Sequence, residues 1–307
     1  MDELRGRHLQ GALETRGVIP IVAVFPDQLA ELPRTLKSLK DAGLTFGLWP
    51  MLENDKGRWL SSENVGPFLD FCNRLVGITF DKGVAPESLV LDVEPPIADM
   101  QGWWKPRRNK RSKELAGHAL STHPLGDLKN ALNQLEIDLH VAVLPLLALD
   151  NDKASLGWQS KLKAPNEWNR ADVIHVMTYT TLFRGYSKGL LSRKDALRIL
   201  DYMCSSSKDL FLERAAMSLG CVGQGALGDE AVFKSPQELA KDVGLVKTKG
   251  VSNIAVFDLG GMVRRGPVAV WLDALTKTPA SNQAYEMNLK IQGLKKVAGF
   301  LGRRFSP

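Results

Sequence analysis

Seven β-rich runs alternating with helical segments, one run apolar enough to be buried on both faces, and the lack of a glycine-rich phosphate loop together predict an α/β chain of the TIM-like (β/α) barrel class. Its N-terminal part is expected to be irregular, because only two clear strands precede the run at 88–94. A doubly wound nucleotide-binding sheet is disfavoured, since Phe25-Pro26-Asp27 stands where such a sheet would turn on glycines. The 307 residues suit one barrel, and no linker, internal repeat or low-complexity stretch divides them. Residues 1–17 are read as an N-terminal extension, 18–275 as the barrel and 276–307 as a basic helical tail.

Each element has its own signal. The first strand is the run 18–25; Asp27 is placed to cap a helix carrying Leu29, Leu32, Leu36 and Leu39 at helical spacing and ending near Gly43. The second run, 44–52, holds Phe46, Leu48 and Trp49. Val65, Phe68, Leu69 and Cys72 recur at three and four and predict a helix over 62–75. The third strand ends at Glu94. A helix is expected over 117–135, interrupted by Pro124. Strands follow at 140–147, 173–179, 214–222 and 251–259, with helices around 193–204 and 235–246.

Composition narrows the classes. With 44% hydrophobic and 24% charged residues the chain reads as an ordinary globular protein, and no apolar run approaches the roughly 20 residues of a membrane span. Residues 1–17 carry Asp2, Glu3, Arg5, Arg7 and His8, which leaves no signal-peptide core; the cytoplasm is the expected location, or outside the cell if the chain is a processed product. Cys72, Cys204 and Cys221 are odd in number and far apart, so neither a disulfide framework nor a metal site is indicated, and no cofactor is expected. Ser218 and Cys221 have no histidine at a suggestive spacing for nucleophilic hydrolysis. The net charge of +6 is uneven: Lys105, Arg107, Arg108, Lys110, Arg111 and Lys113 crowd behind Trp103 and Trp104, a solvated loop or a site for an acidic polymer. Lys295, Lys296, Arg303 and Arg304 form a second cluster, read as a frayed surface helix.

The chemistry concentrates at the end of the third strand. Side chains on a strand repeat with period two, so Asp92 and Glu94 share one side at the C-terminal end of an apolar run, where barrel enzymes place their catalytic groups. Burial and mutual repulsion would push one carboxyl upward, with Glu94 the candidate acid. The same pair could also open a solvated loop or meet basic side chains.

Later pieces follow in order: Val141-Ala142-Val143-Leu144-Pro145, Val176-Met177-Thr178-Tyr179-Thr180, Met217-Ser218-Leu219-Gly220-Cys221-Val222-Gly223 and Ala255-Val256-Phe257-Asp258. With Leu91-Asp92-Val93-Glu94-Pro95 they resemble the signature strands of the chitinase-like glycoside hydrolases, family 18, across 88–260. The resemblance implies a carbohydrate substrate and substrate-assisted hydrolysis of N-acetylated sugars. Glu94 would be the acid and base, Asp92 would orient the acetamido group, Tyr179 would donate a hydrogen bond to its oxygen, and Met177 would share the barrel-facing side. The chain departs from the family pattern at Val90, where an inner aspartate is usual, at Thr180, where an aspartate follows the tyrosine, and at Phe257, a common tryptophan position.

Trp49, Trp103 and Trp104 are candidates for stacking on sugar rings. Asp258, at the end of the last strand, could serve as a second carboxylate or as a salt-bridge partner. His140 and His175 read as core groups within apolar strands. Two function classes therefore stand beside each other, a glycosidase and a catalytically weak, lectin-like barrel, with recruitment of an acidic polymer as a third.

Overall fold

A computed structural model describes residues 2–102, 123–150 and 157–305. Its strands are β1 (Ile21–Val24), β2 (Gly47–Pro50), β3 (Ser88–Val93), β4 (Asp138–Val143), β5 (Val173–Met177), β6 (Ala215–Gly220) and β7 (Asn253–Phe257). They follow one another in the sheet in chain order, and the pairs β1–β2, β2–β3, β5–β6 and β6–β7 are parallel. With helices in the connections, this is the TIM-like (β/α) barrel fold that the alternating pattern predicts. Contacts gather in two compact units, one made of Met1–Gln10, Ile19–Val141 and Gln159–Asp172, the other of Gly11–Val18, Ala142–Trp158 and Val173–Pro307.

In the first unit the core is built from the periodic leucines. Leu36 and Leu39 of the helix Leu32–Asp41, Leu48 of β2, Leu89 and Leu91 of β3, and Phe68 and Leu75 of the helix Val65–Asp81 are all fully buried. All six residues of β3 are buried, as a strand covered on both faces requires. Gly47 lies opposite Ser88 in the register, and a Cβ there would come within 2.7 Å of the Ser88 hydroxyl, so a larger residue would have to displace that hydroxyl. The helix Val65–Asp81 runs past the expected end at 75 because Val76 and Thr79 continue its buried stripe. It stops at Gly83, whose φ of +64° lets Val84 N–H reach back to Thr79 O at 2.9 Å.

In the second unit β6 is fully buried, built from the small residues Ala215, Ala216, Ser218 and Gly220 between Met217 and Leu219. The helices Arg193–Phe211 and Pro236–Thr248 cover it with Leu200, Val243 and Val246, all fully buried. The helix Leu289–Phe305 packs on the same unit: Trp158 Nε1 donates to Ala298 O at 3.1 Å, Lys290 Nζ meets Asp195 Oδ2 at 3.0 Å, and Ile291 is buried. It is docked, not frayed.

Several boundaries differ from the sequence reading. Asp27 does not cap a long helix; Pro26–Gln28 is a single 3₁₀ turn closed by Gln28 Oε1 accepting from Phe25 N–H, and the helix starts only at Leu32. Pro124 and Pro145 begin helices, Pro124–Gln134 and Pro145–Asp150, because proline's fixed φ suits a first helical turn whose N–H groups lack partners anyway. β4 therefore ends at Val143. The N-terminal stretch is helical over Asp2–Arg5 and Arg7–Glu14 and adds no strand among the described residues.

Candidate active site

The first unit carries the carboxylate pair. Asp92 is the fifth residue of β3, 5% exposed, and Glu94 lies half-buried just past the strand end, hydrogen-bonded to Asp92. The loop after β2 folds over this end: Leu60 bridges to Val93, and its N–H donates to Asp92 O at 2.9 Å. Asn64 holds the loop in shape. Its Oδ1 accepts from Ser61 N–H at 2.8 Å, and its Nδ2 donates to Lys56 O at 3.0 Å and Trp59 O at 2.8 Å. The loop presents Arg58, whose guanidinium lies over the Phe25 ring at 5.3 Å and the Trp59 ring at 5.8 Å and brings its charge to bear on Asp92.

Burial pushes the Asp92 carboxyl up to about 7, while the charge of Arg58 and the hydrogen bond with Glu94 hold it below what burial alone would give. The upward push thus falls on Asp92, the more deeply buried of the two carboxylates. The pair can keep a proton close to neutrality. The sequence carries no signal for Arg58, because an arginine in a polar loop has no spacing that ties it to a strand 34 positions away.

A pH dependence follows. The folded chain keeps the Asp92 proton up to about 7 while an ordinary aspartate loses it near 3.8, so between these values the folded state binds more proton than the unfolded one. This contribution to stability is full below the lower value and is lost as pH rises through the upper one. Thermal unfolding followed from about pH 4 to about pH 8 should show a flatter profile for Asp92→Asn than for wild type. Arg58→Gln should move the wild-type inflection upward. Identical slopes for wild type and Asp92→Asn would refute the assignment.

Trp49 is half-buried on β2, where its Cα pairs with that of Ala23. Trp103, Trp104 and the basic run 105–113 lie outside the described residues.

In the second unit Met177 ends β5 and is buried, and Tyr179 follows it half-buried. The Tyr179 ring stacks with Phe257 at 6.4 Å between centroids and 13° between planes. It also rests on the backbone of Gly220, where a Cβ would come within 3.2 Å of the ring. Thr181 ties the end of β6 beside it, its hydroxyl accepting from Cys221 N–H and donating to Gly220 O, both at 2.7 Å. Thr180 turns elsewhere. Its hydroxyl donates to the fully buried Asp242 and accepts from Arg193 Nη1 at 2.6 Å.

Asp258 is engaged in holding the ends of β6 and β7: Oδ1 accepts from Gly223 N–H at 2.8 Å, and Oδ2 faces Arg264 Nη2 at 3.7 Å. Gly261 seats against this corner, where a Cβ would fall 2.2 Å from Gly223 N. Cys221 is buried, and desolvation pushes its thiol up to about 12, unsuited to attack. Among the described residues no group of three or more histidines, cysteines or carboxylates is placed to hold a metal ion.

No protein-family model and no curated protein matches the chain. Solved structures do. A broad-specificity endoglucanase from Clostridium longisporum is 11% identical, with 89% of this chain and 85% of that chain covered at a TM-score of 0.50. An endo-β-mannanase/endo-β-glucanase from Prevotella bryantii is 10% identical at a TM-score of 0.50, with 90% of this chain covered but only 44% of that one. The glycoside hydrolase domain of PgaB (BpsB) from Bordetella bronchiseptica is 11% identical at 0.49, with 90% and 93% covered. At such identities the two likenesses at 0.50 speak for the fold alone, and a barrel does not choose its chemistry.

Proposed function

We propose that the protein is a glycoside hydrolase acting on an N-acetylated or related glycan by a retaining, substrate-assisted route, with Glu94 as acid and base. One observation carries the reading: a carboxylate pair at the end of β3, hydrogen-bonded, with Asp92 held near neutrality by burial. The resemblance of the later strand ends to family 18 supports it. Glu94 passes its proton to the glycosidic oxygen as the bond to the anomeric carbon breaks, and the acetamido oxygen of the substrate closes on that carbon. Water then opens the cyclic intermediate while Glu94 takes back a proton, and the anomeric configuration is retained. Asp92 steadies the acetamido N–H.

A second reading is a glycan-binding barrel without turnover. Its support is specific: Val90 stands buried where the family has its inner carboxylate, and the Thr180 hydroxyl is engaged with Asp242 and Arg193. A screen of chromogenic glycosides, run on wild type beside Glu94→Gln, separates the two. Hydrolysis that disappears in the variant supports the enzyme; glycan binding without hydrolysis by wild type selects the lectin-like reading.

Trp49 supplies a further test. Trp49 lies on β2, which pairs with β3, and an aromatic face there would stack on a sugar ring, so a bound oligosaccharide should change tryptophan fluorescence. The chain has seven tryptophans, so the signal must be assigned: Trp49→Phe should remove most of the change and weaken binding by up to about tenfold. An undiminished change in Trp49→Phe excludes the platform.

A further inference from the structure

We propose that the helix Leu289–Phe305 is a docking surface for an anionic phospholipid bilayer and lies in the plane of its interface. The helix holds five basic residues and no acidic one, so it carries nearly all of the chain's formal net charge of +6. One side of it is occupied. Ile291 is buried, Lys295 Nζ lies over the Tyr202 ring at 4.3 Å, Lys290 is paired with Asp195, and Ala298 O accepts from Trp158.

The other side is open. Lys296, Val297, Phe300, Arg303 and Arg304 follow at i, i+1, i+4, i+7 and i+8, which places them on one stripe of a helix, and all five are exposed. Val297 is 56% and Phe300 54% exposed, with Leu294 and Leu289 beside them at 46% and 86%. Of the ten large apolar side chains exposed among the described residues, four sit on this one helix. Scattered apolar exposure is ordinary; a row of it set between cations is not.

The pattern selects the occupant. Phe300 and Val297 between Lys296, Arg303 and Arg304 match the boundary between acyl chains and phosphates, where the apolar groups leave water while the cations stay at the headgroups. A nucleic acid would use the cations and leave Val297 and Phe300 in water. No helix among the described residues is long and apolar enough to cross a membrane. This inference is independent of the hydrolase reading.

Co-sedimentation of the full chain with vesicles tests it. Phosphatidylcholine vesicles containing about a third phosphatidylserine should carry the protein down and phosphatidylcholine alone should not, with binding weakened by added salt. Lys296→Gln/Arg303→Gln/Arg304→Gln should lower the affinity on the order of a hundredfold, and Val297→Ser/Phe300→Ser should lower it at every salt concentration. Arg34→Gln/Lys82→Gln/Lys194→Gln removes the same charge elsewhere and should leave it near wild type. These side chains are exposed, and unchanged unfolding midpoints will show that each variant folds. The proposal is overturned by equal loss in the control variant, by no pelleting with anionic vesicles, by dimerisation through this face, or by tight binding to duplex DNA that Val297→Ser/Phe300→Ser leaves intact.

Discussion

Glu94→Gln should lower turnover by about a hundred- to ten-thousand-fold, the range that positioned acid catalysis supplies. The substitution keeps the size and polarity of the side chain and removes its ability to give and take a proton. Affinity for the substrate, read by tryptophan fluorescence, should therefore stay close to wild type while kcat falls. Asp92→Asn should slow the reaction as well, and more on N-acetylated substrates than on glycosides without the acetamido group, since its proposed task is to steady that group. This asymmetry separates a substrate-assisted route from a scheme with two enzyme carboxylates. Wild-type turnover in Glu94→Gln on a substrate that the wild type hydrolyses would end the proposal.

Arg193→Ala should destabilise the fold by about 3–5 kcal/mol, because it strips the charged partner from a carboxylate that has no access to water. Asp242 is fully buried and held by Arg193 Nη2 and the Thr180 hydroxyl, while the same guanidinium donates to Glu238 O at 2.9 Å. Burial pushes the Asp242 carboxyl upward and Arg193 restrains it. Without Arg193 the folded chain would hold that proton to still higher pH, so the variant's deficit should shrink as the pH falls and Asp242 is neutralised. Asp242→Asn, which keeps the shape and leaves no buried charge, should cost less than Arg193→Ala. Chemical denaturation of the three proteins near neutrality and at about pH 5 measures all of this; a loss under about 1 kcal/mol for Arg193→Ala would show that the cluster is not the brace it resembles.

The strands were legible because their signal is local. An apolar run bounded by turn residues, such as 88–93, has one low-energy use in a covered parallel sheet, and the residues of β3 and β6 are indeed all buried. The period of the leucines before Gly43 fixed the helix Leu32–Asp41 in the same way, and the parity of Asp92 and Glu94 followed from strand geometry. Element ends were less legible. Pro124 and Pro145 have the same composition whether they break a helix or begin one, and what decides is whether the preceding turn has N–H groups to spare.

Chain order and side-chain period by themselves determined the parallel α/β architecture, the seven strands and the pairing of two carboxylates at one strand end. Only the tertiary structure decided which carboxyl burial raises, that Arg58 is the cation acting on it, that Thr180 belongs to Asp242 and Arg193, and that Asp258 is tied to Gly223. The reason is physical: periodicity acts within a few residues, whereas desolvation and charge act through space between segments that only folding brings together.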